Sequence, residues 1–200
     1  MDTKLTGKTR IESDLIGARE IPAEALYGVQ TLRGIENFSI SKFRLSEYPL
    51  FIKGLAITKM AAAMANFELG LLTVEQKDAI IAACGEILDG KHHDQFPVDM
   101  IQGGAGTTTN MNANEVIANR ALELMGHERG EYQYCSPNDH VNCSQSTNDA
   151  YPTAIHIGMY FKHLQLLPHL EELIASFRKK GEEFSQIIKM GRTQLEDAVP

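Results

Sequence analysis

Apolar residues recur every three to four positions over four long stretches of the chain, and this spacing predicts helices. The stretches cover about residues 48–69, 73–90, 108–125 and 148–189. Strand signals are sparse, so we predict a mainly α fold. Residues 1–45 lack the helical spacing, and Ile21-Pro22 would break an early helix, so we expect an irregular segment there.

Local signals mark the ends of the predicted helices. Thr73-Val74-Glu75-Gln76 is typical of a capping box, in which the threonine hydroxyl and the glutamine side chain each bind a backbone N–H. Pro168 lies inside the fourth stretch, and we expect it to kink or divide that helix. Glycine favours the left-handed conformation that closes a helix, and glycines follow the first three stretches: Gly70, Gly90 and Gly126.

The fourth stretch carries an apolar seam that needs a partner helix. Its large apolar residues recur at close to seven-residue spacing, as in helical bundles. They are Leu170, Leu173, Ile174, Phe177, Phe184, Ile187 and Ile188. We therefore expect an N-terminal domain over residues 1–143 and, over residues 144–200, the beginning of a central helical bundle that the sequence cuts short.

Composition and charge argue against several kinds of partner. Apolar residues make up 43% of the chain and charged residues 22%, so the chain can bury a core. A net charge of -7 argues against nucleic acid, because phosphate binding needs a basic face. No segment reaches roughly 18 uninterrupted apolar residues, so we expect no membrane partner.

The N-terminus and the cysteines predict a cytoplasmic protein. Met1-Asp2-Thr3-Lys4 lacks the apolar core of a secretory signal. The chain has three cysteines, and their spacing does not suggest a zinc site. Cys135 and Cys143 could pair, but free thiols in a reducing cytosol are the favoured interpretation.

Two polar segments stand directly before predicted helices. The first runs from Gly103 to Asn110 and the second from Ser144 to Asp149, and both combine small residues, hydroxyls and amides. A helix N-terminus exposes unpaired N–H groups and a partial positive charge, so such ends suit anions. Two of them meeting would form a carboxylate pocket. Ordinary helix caps and glycine turns account for either segment taken alone.

The remaining chemical candidates are weaker. His92-His93-Asp94 could bind a metal, but a solvated loop is the favoured interpretation, and we predict no metal site. Cys143 fits a packed thiol better than a nucleophile. We expect Glu115 to be a cap or a surface residue.

The two polar segments resemble two regions that members of the aspartase/fumarase superfamily share, and the resemblance extends over nearly the whole chain. Three stretches carry it best: Gly104-Ala105-Gly106-Thr107, Ser146-Thr147-Asn148-Asp149 and the C-terminal Gly191-Arg192-Thr193-Gln194. Details favour the aspartase branch. Ala105 stands where fumarases usually carry serine, and Gln194 stands where fumarases and some aspartases carry histidine.

The resemblance implies both a fold and a reaction. The fold is a mostly helical N-terminal domain followed by a long-helix bundle, assembled as a homotetramer whose active sites each take segments from three subunits. The reaction is the reversible elimination of ammonia from L-aspartate to give fumarate through an aci-carboxylate. It needs no cofactor for the chemistry, although a divalent metal activates some family members.

The resemblance also implies roles for individual residues. Thr107, Ser146 and Thr147 would donate hydrogen bonds to the β-carboxylate of the substrate. The amino group would be oriented by Asn148, Thr193 and Gln194. We expect Thr107 on one chain to meet Ser146, Thr147 and Thr193 of its neighbours.

The catalytic base implied by the resemblance is a serine on a Gly-Ser-Ser loop that lies beyond Pro200. The catalytic residue is therefore unassigned, and we expect the 200-residue chain alone to be inactive. Two alternatives stay open: a fumarase-type hydratase that uses water in place of ammonia, and a non-catalytic helical module that binds dicarboxylates.

Overall fold

The computed structural model is mostly helical and describes residues 7–199, with the backbone alone for Asp197 and Val199. Met1–Lys4 and Pro200, which entered the sequence analysis, lie outside the described residues. All four helices predicted from apolar spacing are present, and a further short helix precedes them. The helices are α1 Val29–Asn37, α2 Pro49–Glu68, α3 Val74–Leu88, α4 Thr107–Leu124 and α5 Thr147–Glu183.

The contacts within the chain group it into two units, residues 1–160 and residues 161–200. Helix α5 begins in the first unit and continues into the second. We describe each unit by itself. The predicted domain boundary between residues 143 and 144 stays a prediction.

The core of the first unit is built by α2, α3 and α4, which pack against one another. Each helix contributes large apolar side chains that are almost completely buried, as the apolar spacing predicted. Examples are Ile52 and Leu55 of α2, Ile80 and Ile87 of α3, and Val116, Ile117 and Leu122 of α4.

Helix α2 is long and apolar enough to cross a membrane, by length and composition alone. In this structure it is a core helix, because Phe51, Ile52 and Leu55 pack into the apolar cluster shared with α3 and α4. A core helix of this kind meets the same criterion as a membrane span, so the finding is weak evidence for a membrane partner.

The helix-end signals are confirmed where the structure tests them. Thr73 accepts a hydrogen bond from the backbone N–H of Gln76, and the Gln76 side chain accepts one from the N–H of Thr73. Gly70, Gly90 and Gly126 all have positive φ. Left-handed backbone is open to glycine without a steric penalty, so these residues close α2, α3 and α4.

The expectation of an irregular N-terminal segment is wrong. Thr9–Asp14 (β1) and Gly17–Pro22 (β2) form an antiparallel hairpin in which Ile11 faces Glu20. The hairpin escaped detection because its pattern is inverted: Glu12 is buried at 5% exposure, whereas Ile11 is 72% exposed. A search for alternating apolar residues therefore finds no strand here.

Helix α1 was missed for a different reason. Its cap residue Gly28 has no side chain to bind the first N–H groups, so no local start signal exists. Carboxylates from distant parts of the chain take that role. Glu115 accepts the N–H groups of Gly28, Gln30 and Thr31, and Glu12 accepts that of Val29.

The second unit contains the remainder of α5 and a short antiparallel pair, Gly191–Arg192 (β3) and Asp197–Val199 (β4). We expected Pro168 to kink or divide the helix; division is wrong, since α5 is continuous through it, and a kink stays a prediction. Pro168 is exposed, so it removes one N–H without forcing a break in a packed core. The residues of the predicted seam are exposed, with Phe177 at 71%, but α5 ends at Glu183, so Phe184, Ile187 and Ile188 lie beyond the helix.

The close approach of α2 to the first turns of α5 makes Gly54 essential for packing. A Cβ at Gly54 would overlap the carbonyl oxygen of Ala154. We expect Gly54→Ala to lower the free energy of unfolding by about 1–3 kcal/mol, because backbone must move to admit the methyl group. Urea denaturation measures the change.

A matched substitution separates this contact from helix propensity. Gly85 also lies inside a helix, but a Cβ there would meet nothing within 4 Å. Gly85→Ala should therefore raise the free energy of unfolding by roughly 0.5–1 kcal/mol. Equal effects of the two substitutions would contradict this account of the packing.

Candidate functional site

The first polar segment forms a tight left-handed turn at the start of α4. Three successive residues have positive φ: Gly104 at 70°, Ala105 at 50° and Gly106 at 91°. A Cβ at Gly106 would overlap the ring of Tyr151, so this position needs glycine both for its conformation and for space. The turn brings Thr107 to the first position of α4, where its exposed hydroxyl donates to the carbonyl of Gly104 at 2.6 Å.

The second polar segment forms the start of α5. Ser146 Oγ accepts the backbone N–H of Asn148 at 3.2 Å, which is a helix-capping contact. Thr147 is the first residue of the helix, and Asn148 follows it at an exposed position. Hydroxyl and amide groups therefore surround the unpaired N–H groups of this helix end.

The starts of α4 and α5 meet within a single chain. Asn110, one turn into α4, donates through Nδ2 to Thr147 Oγ1 at 3.3 Å. Ala105 and Gly106 line the same cavity as Asn148, and the volume of this cavity is ≈ 440 Å³. Its remaining lining residues are Met100, Gln102, Tyr151, Pro152 and Ile155. The expectation that Thr107 meets Ser146 and Thr147 of neighbouring subunits stays a prediction.

The cavity is large enough for a small dicarboxylate, and its lining is more apolar than polar. Small-molecule sites in proteins are typically concave and of roughly 300–1,000 Å³. Helix α4 has no acidic residue in its first turn and no side-chain cap, so its N-terminal charge is not neutralised locally. Hydroxyls, amides and a helix N-terminus together favour a bound anion.

Thr193 and Gln194 lie in the second unit, in the turn between β3 and β4, and both are exposed. The Thr193 hydroxyl donates to the carbonyl of Glu196 at 3.0 Å and accepts the N–H of the same residue at 3.1 Å. The site roles expected for these two residues stay predictions.

Sequence reasoning missed Lys59, which lies beneath the start of α5. The side chain is fully buried in α2, and its Nζ donates to Asn142 Oδ1 and Gln145 Oε1, both at 2.9 Å. Burial lowers the pKa of Lys59 to about 7. The signal was available, because Lys59 is four residues from Leu55 and four from Ala63 on the apolar face of the helix.

The histidine pair predicted to form a solvated loop has structural partners. His92 Nε2 lies 2.8 Å from Glu86 Oε2, and His93 Nε2 lies 2.9 Å from the carbonyl of Ile87. The two rings therefore face different partners. Residues 7–199 contain no group of three or more His, Cys, Asp or Glu side chains arranged to hold a metal ion.

The three cysteines are unpaired in the structure. Cys84 and Cys135 are buried, and burial raises the pKa of both thiols to about 12, so neither is a ready nucleophile. Cys143 is partly exposed and lies 3.7 Å from Ser144 Oγ.

Glu115, expected to be a cap or a surface residue, is not on the surface and caps the distant helix α1. Its side chain is 2% exposed and holds the N-terminus of α1 in place through three backbone N–H groups. Burial raises its pKa to about 7, although the hydrogen bonds from those N–H groups oppose the shift. A glutamate in a helical pattern gives no local sign of such a distant partner.

A family model described as Lyase matches residues 17–200. The chain belongs to this lyase family. The match confirms the resemblance to the aspartase/fumarase superfamily that the polar segments indicated, and with it the fold class.

Similar proteins of the lyase family include two bacterial aspartate ammonia-lyases. The relative from Pseudomonas canavaninivorans is 60% identical over 191 residues, which are 96% of this chain and 40% of the relative. The relative from Helicobacter pylori is also 60% identical over 191 residues, or 41% of its length. The chain thus spans about two fifths of the length of the curated relatives it matches.

Two solved structures of the family show the same fold. A fumarate lyase:delta crystallin from Brucella melitensis, solved bound to cobalt, superposes with a TM-score of 0.91 at 54% identity, covering 96% of this chain and 42% of that protein. A class II fumarase from Schistosoma mansoni superposes with a TM-score of 0.87 at 39% identity, covering 96% of this chain and 40% of that enzyme. Identity is therefore higher to the aspartate ammonia-lyases than to this fumarase.

Glu115→Gln should flatten the dependence of stability on pH. The carboxyl pKa rises from 4.5 to about 7 on folding, so the folded lyase binds this proton more tightly than the unfolded chain. The stability that proton binding contributes is complete below about pH 4.5 and is lost as pH rises through about 7. The parent protein should therefore lose about 3 kcal/mol more of its free energy of unfolding over this pH range than Glu115→Gln does.

Urea denaturation of both proteins in half-unit steps across this pH range gives the comparison. Glu68→Gln, at the exposed end of α2, is the control and should leave the pH profile unchanged. Profiles that run parallel for the parent protein and Glu115→Gln would contradict the assignment.

Proposed function

We propose that this protein is an aspartate ammonia-lyase, which eliminates ammonium from L-aspartate to give fumarate. The observation that carries the proposal is that the starts of α4 and α5 meet through Asn110 and Thr147, beside a cavity that Gln102 and Asn148 help to line. The identity of 60% to aspartate ammonia-lyases supports the choice of substrate.

The chemistry demands what these helix ends supply. A base removes the Cβ proton of L-aspartate, which places a second negative charge on the β-carboxylate. The Cα–N bond then breaks with its electron pair leaving on nitrogen, and the ammonia released takes up a proton to become ammonium. The intermediate is an aci-carboxylate with charge on two oxygens. Preorganised donors lower its energy, by roughly 3–4 kcal/mol for one well-placed donor.

We assign the β-carboxylate to Thr107, Ser146 and Thr147, and the amino end of the substrate to Asn148, Thr193 and Gln194. To donate to a carboxylate, Thr107 must exchange its bond to the carbonyl of Gly104 for one to the substrate. Because that threonine is exposed at the first position of α4, a rotation about χ1 is sufficient. The proton-abstracting base is not assigned to any of these residues.

No cofactor enters this proposed chemistry, because the protein donors carry the charge stabilisation. Activation by a divalent metal, seen in some family members, would act outside the chemical step. We also propose a cytoplasmic location, supported by the unpaired Cys84, Cys135 and Cys143.

We further propose that the protein assembles as a homotetramer through the seam of α5. A helix in water does not stably expose a continuous row of large apolar side chains, so another helix is needed to cover it. On α5 the row extends from Leu170 at 41% exposure to Phe177 at 71%.

Thr147→Val tests the proposed role of the hydroxyl donors. In the protein expressed from its complete coding sequence, we expect kcat for L-aspartate to fall roughly 10²- to 10³-fold, because the developing dianion loses one donor. The ultraviolet absorbance of fumarate follows the reaction. Thr108→Val, in the first turn of α4, keeps its methyl contact with the Gly34 region and should leave kcat within about twofold.

The same assay distinguishes the alternatives. Turnover of L-malate in place of L-aspartate would establish a fumarase-type hydratase. The likeness to the Schistosoma mansoni fumarase is the reason to test this alternative. Thermal stabilisation by succinate without turnover of either substrate would establish a non-catalytic dicarboxylate-binding module. Either result would contradict the proposed ammonia-lyase activity.

Phe177→Glu tests the seam. Phe177 is 71% exposed on α5, and a buried carboxylate at a helix interface carries a large desolvation cost. We expect the variant to sediment as species smaller than the tetramer and to lose activity in parallel. Ala175→Glu, two residues earlier on a different face of the same helix, should leave the assembly intact; an unchanged sedimentation coefficient for Phe177→Glu would refute the interface.

A further inference from the structure

Lys59 is a buried cation without an anionic partner among the residues that the structure describes. Its side chain is 0% exposed, and its described hydrogen bonds go to two neutral amides, those of Asn142 and Gln145. Burying an ammonium group without a counter-ion carries a large desolvation cost. Methionine would fill a similar volume without that cost, so the charge itself requires an explanation.

The ammonium group fixes the orientation of both amides. An ammonium has three N–H donors and no acceptor, so each amide must present its oxygen to Lys59. The amide nitrogens then face away and find acceptors of their own. Asn142 Nδ2 donates to the carbonyl of Gln145 at 3.1 Å, and Gln145 Nε2 donates to the carbonyls of Val141 and Cys143 at 2.9 and 3.1 Å.

This orientation passes from Asn142 to Asn110. Because Asn142 Oδ1 is an acceptor, Asn110 must face it with its nitrogen, and Asn110 Nδ2 lies 3.0 Å from that oxygen. The same nitrogen donates to Thr147 Oγ1 at 3.3 Å. Asn110 keeps this orientation although its Oδ1 is buried and has no hydrogen-bond partner among the described residues.

The consequence for Thr147 is a hydroxyl with a defined direction. Its oxygen accepts a hydrogen bond from the protein interior, so its proton is free to be donated elsewhere. Without the interior donor, the hydroxyl could instead turn its proton inward, to the amide oxygen. A donor that is already oriented contributes more to catalysis than one that must reorient during the reaction.

We propose that Lys59 is a positioning residue for the lyase reaction. As an ammonium, it sets the direction of the hydrogen bonds through Asn142 and Asn110, so that the Thr147 hydroxyl donates to the β-carboxylate of the substrate. This inference rests on the proposed function of the site, because it gives Thr147 the role of a carboxylate donor.

The environment of Lys59 is consistent with this role. Cys84 of α3 is the titratable group that influences it, and that thiol stays neutral because burial raises its pKa to about 12. Burial lowers the pKa of Lys59 to about 7, so the ammonium form predominates below that pH. The cation is thus held where amides alone solvate it.

A double-mutant cycle tests the inference in the protein expressed from its complete coding sequence. Lys59→Met should lower kcat for L-aspartate roughly 10- to 100-fold, since a misdirected donor costs on this scale. In a Thr147→Val background the same substitution should have little further effect, because the hydroxyl it directs is gone. A merely structural role would give the same fold-loss in both backgrounds, and that additivity would overturn the inference.

Two further variants keep the test decisive. Asn110→Leu interrupts the connection between Asn142 and Thr147 without altering Lys59, so it should show the same non-additivity with Thr147→Val even if Lys59→Met fails to fold. Lys53→Met, on the same helix but partly exposed, is the control and should leave kcat unchanged.

Succinate binding, measured by calorimetry on the same variants, separates this inference from the proposed activity. If the parent protein binds succinate but does not turn over L-aspartate, the activity is refuted and the cycle is judged on succinate affinity instead. Non-additive losses of affinity support the role of Lys59, and additive losses overturn it. Absence of both succinate binding and turnover of L-aspartate in the parent protein would overturn both.

Discussion

The hydrogen bond from Asn110 to Thr147 is the contact on which the candidate site depends. It joins the first turns of α4 and α5, two helices whose starts are separated by 40 residues of sequence, and so brings two partial positive charges to one cavity. Asn142 accepts a hydrogen bond from Asn110, and the buried Lys59 donates one to Asn142, so both residues support the bond from Asn110 to Thr147. The exposed site is therefore connected to the core of the first unit through Lys59 of α2.

Helix N-termini in this chain serve two purposes by the same physics. At α1 the unpaired N–H groups bind carboxylates of the protein itself, those of Glu115 and Glu12. At α4 no acidic side chain occupies that position, and hydroxyl and amide groups of neighbouring residues are grouped around it. An internal carboxylate makes a helix end a structural joint, whereas its absence leaves the end available to an anionic ligand.

The sequence predicted those features that local patterns specify. The four long helices follow from apolar spacing, and the capping box at Thr73 and the glycine at residue 70 follow from residue types with one strong conformational preference. The features that it did not predict depend on partners far along the chain. Local rules expect apolar or exposed residues at the positions of Glu12 and Glu115. Both carboxylates are buried, and hydrogen bonds from N–H groups at a distant helix start offset the cost of burying them.

The candidate site, too, was predicted only where local patterns specify it. Hydroxyl-rich segments before helices can be recognised in sequence, but their meeting within one chain cannot, since it depends on how α4 packs near the start of α5. Lys59 was missed for a different reason. It lies on an apolar helix face, but a lysine in a helix is usually assumed to be solvent-exposed.

A crystal structure of the protein from its complete coding sequence, with succinate bound, tests the central claim most directly. We predict one carboxylate of succinate within about 2.7–3.1 Å of the hydroxyls of Thr107 and Thr147, with the Asn110 to Thr147 bond preserved. Succinate bound away from the starts of α4 and α5, or Thr147 turned inward to donate to Asn110, would contradict the account.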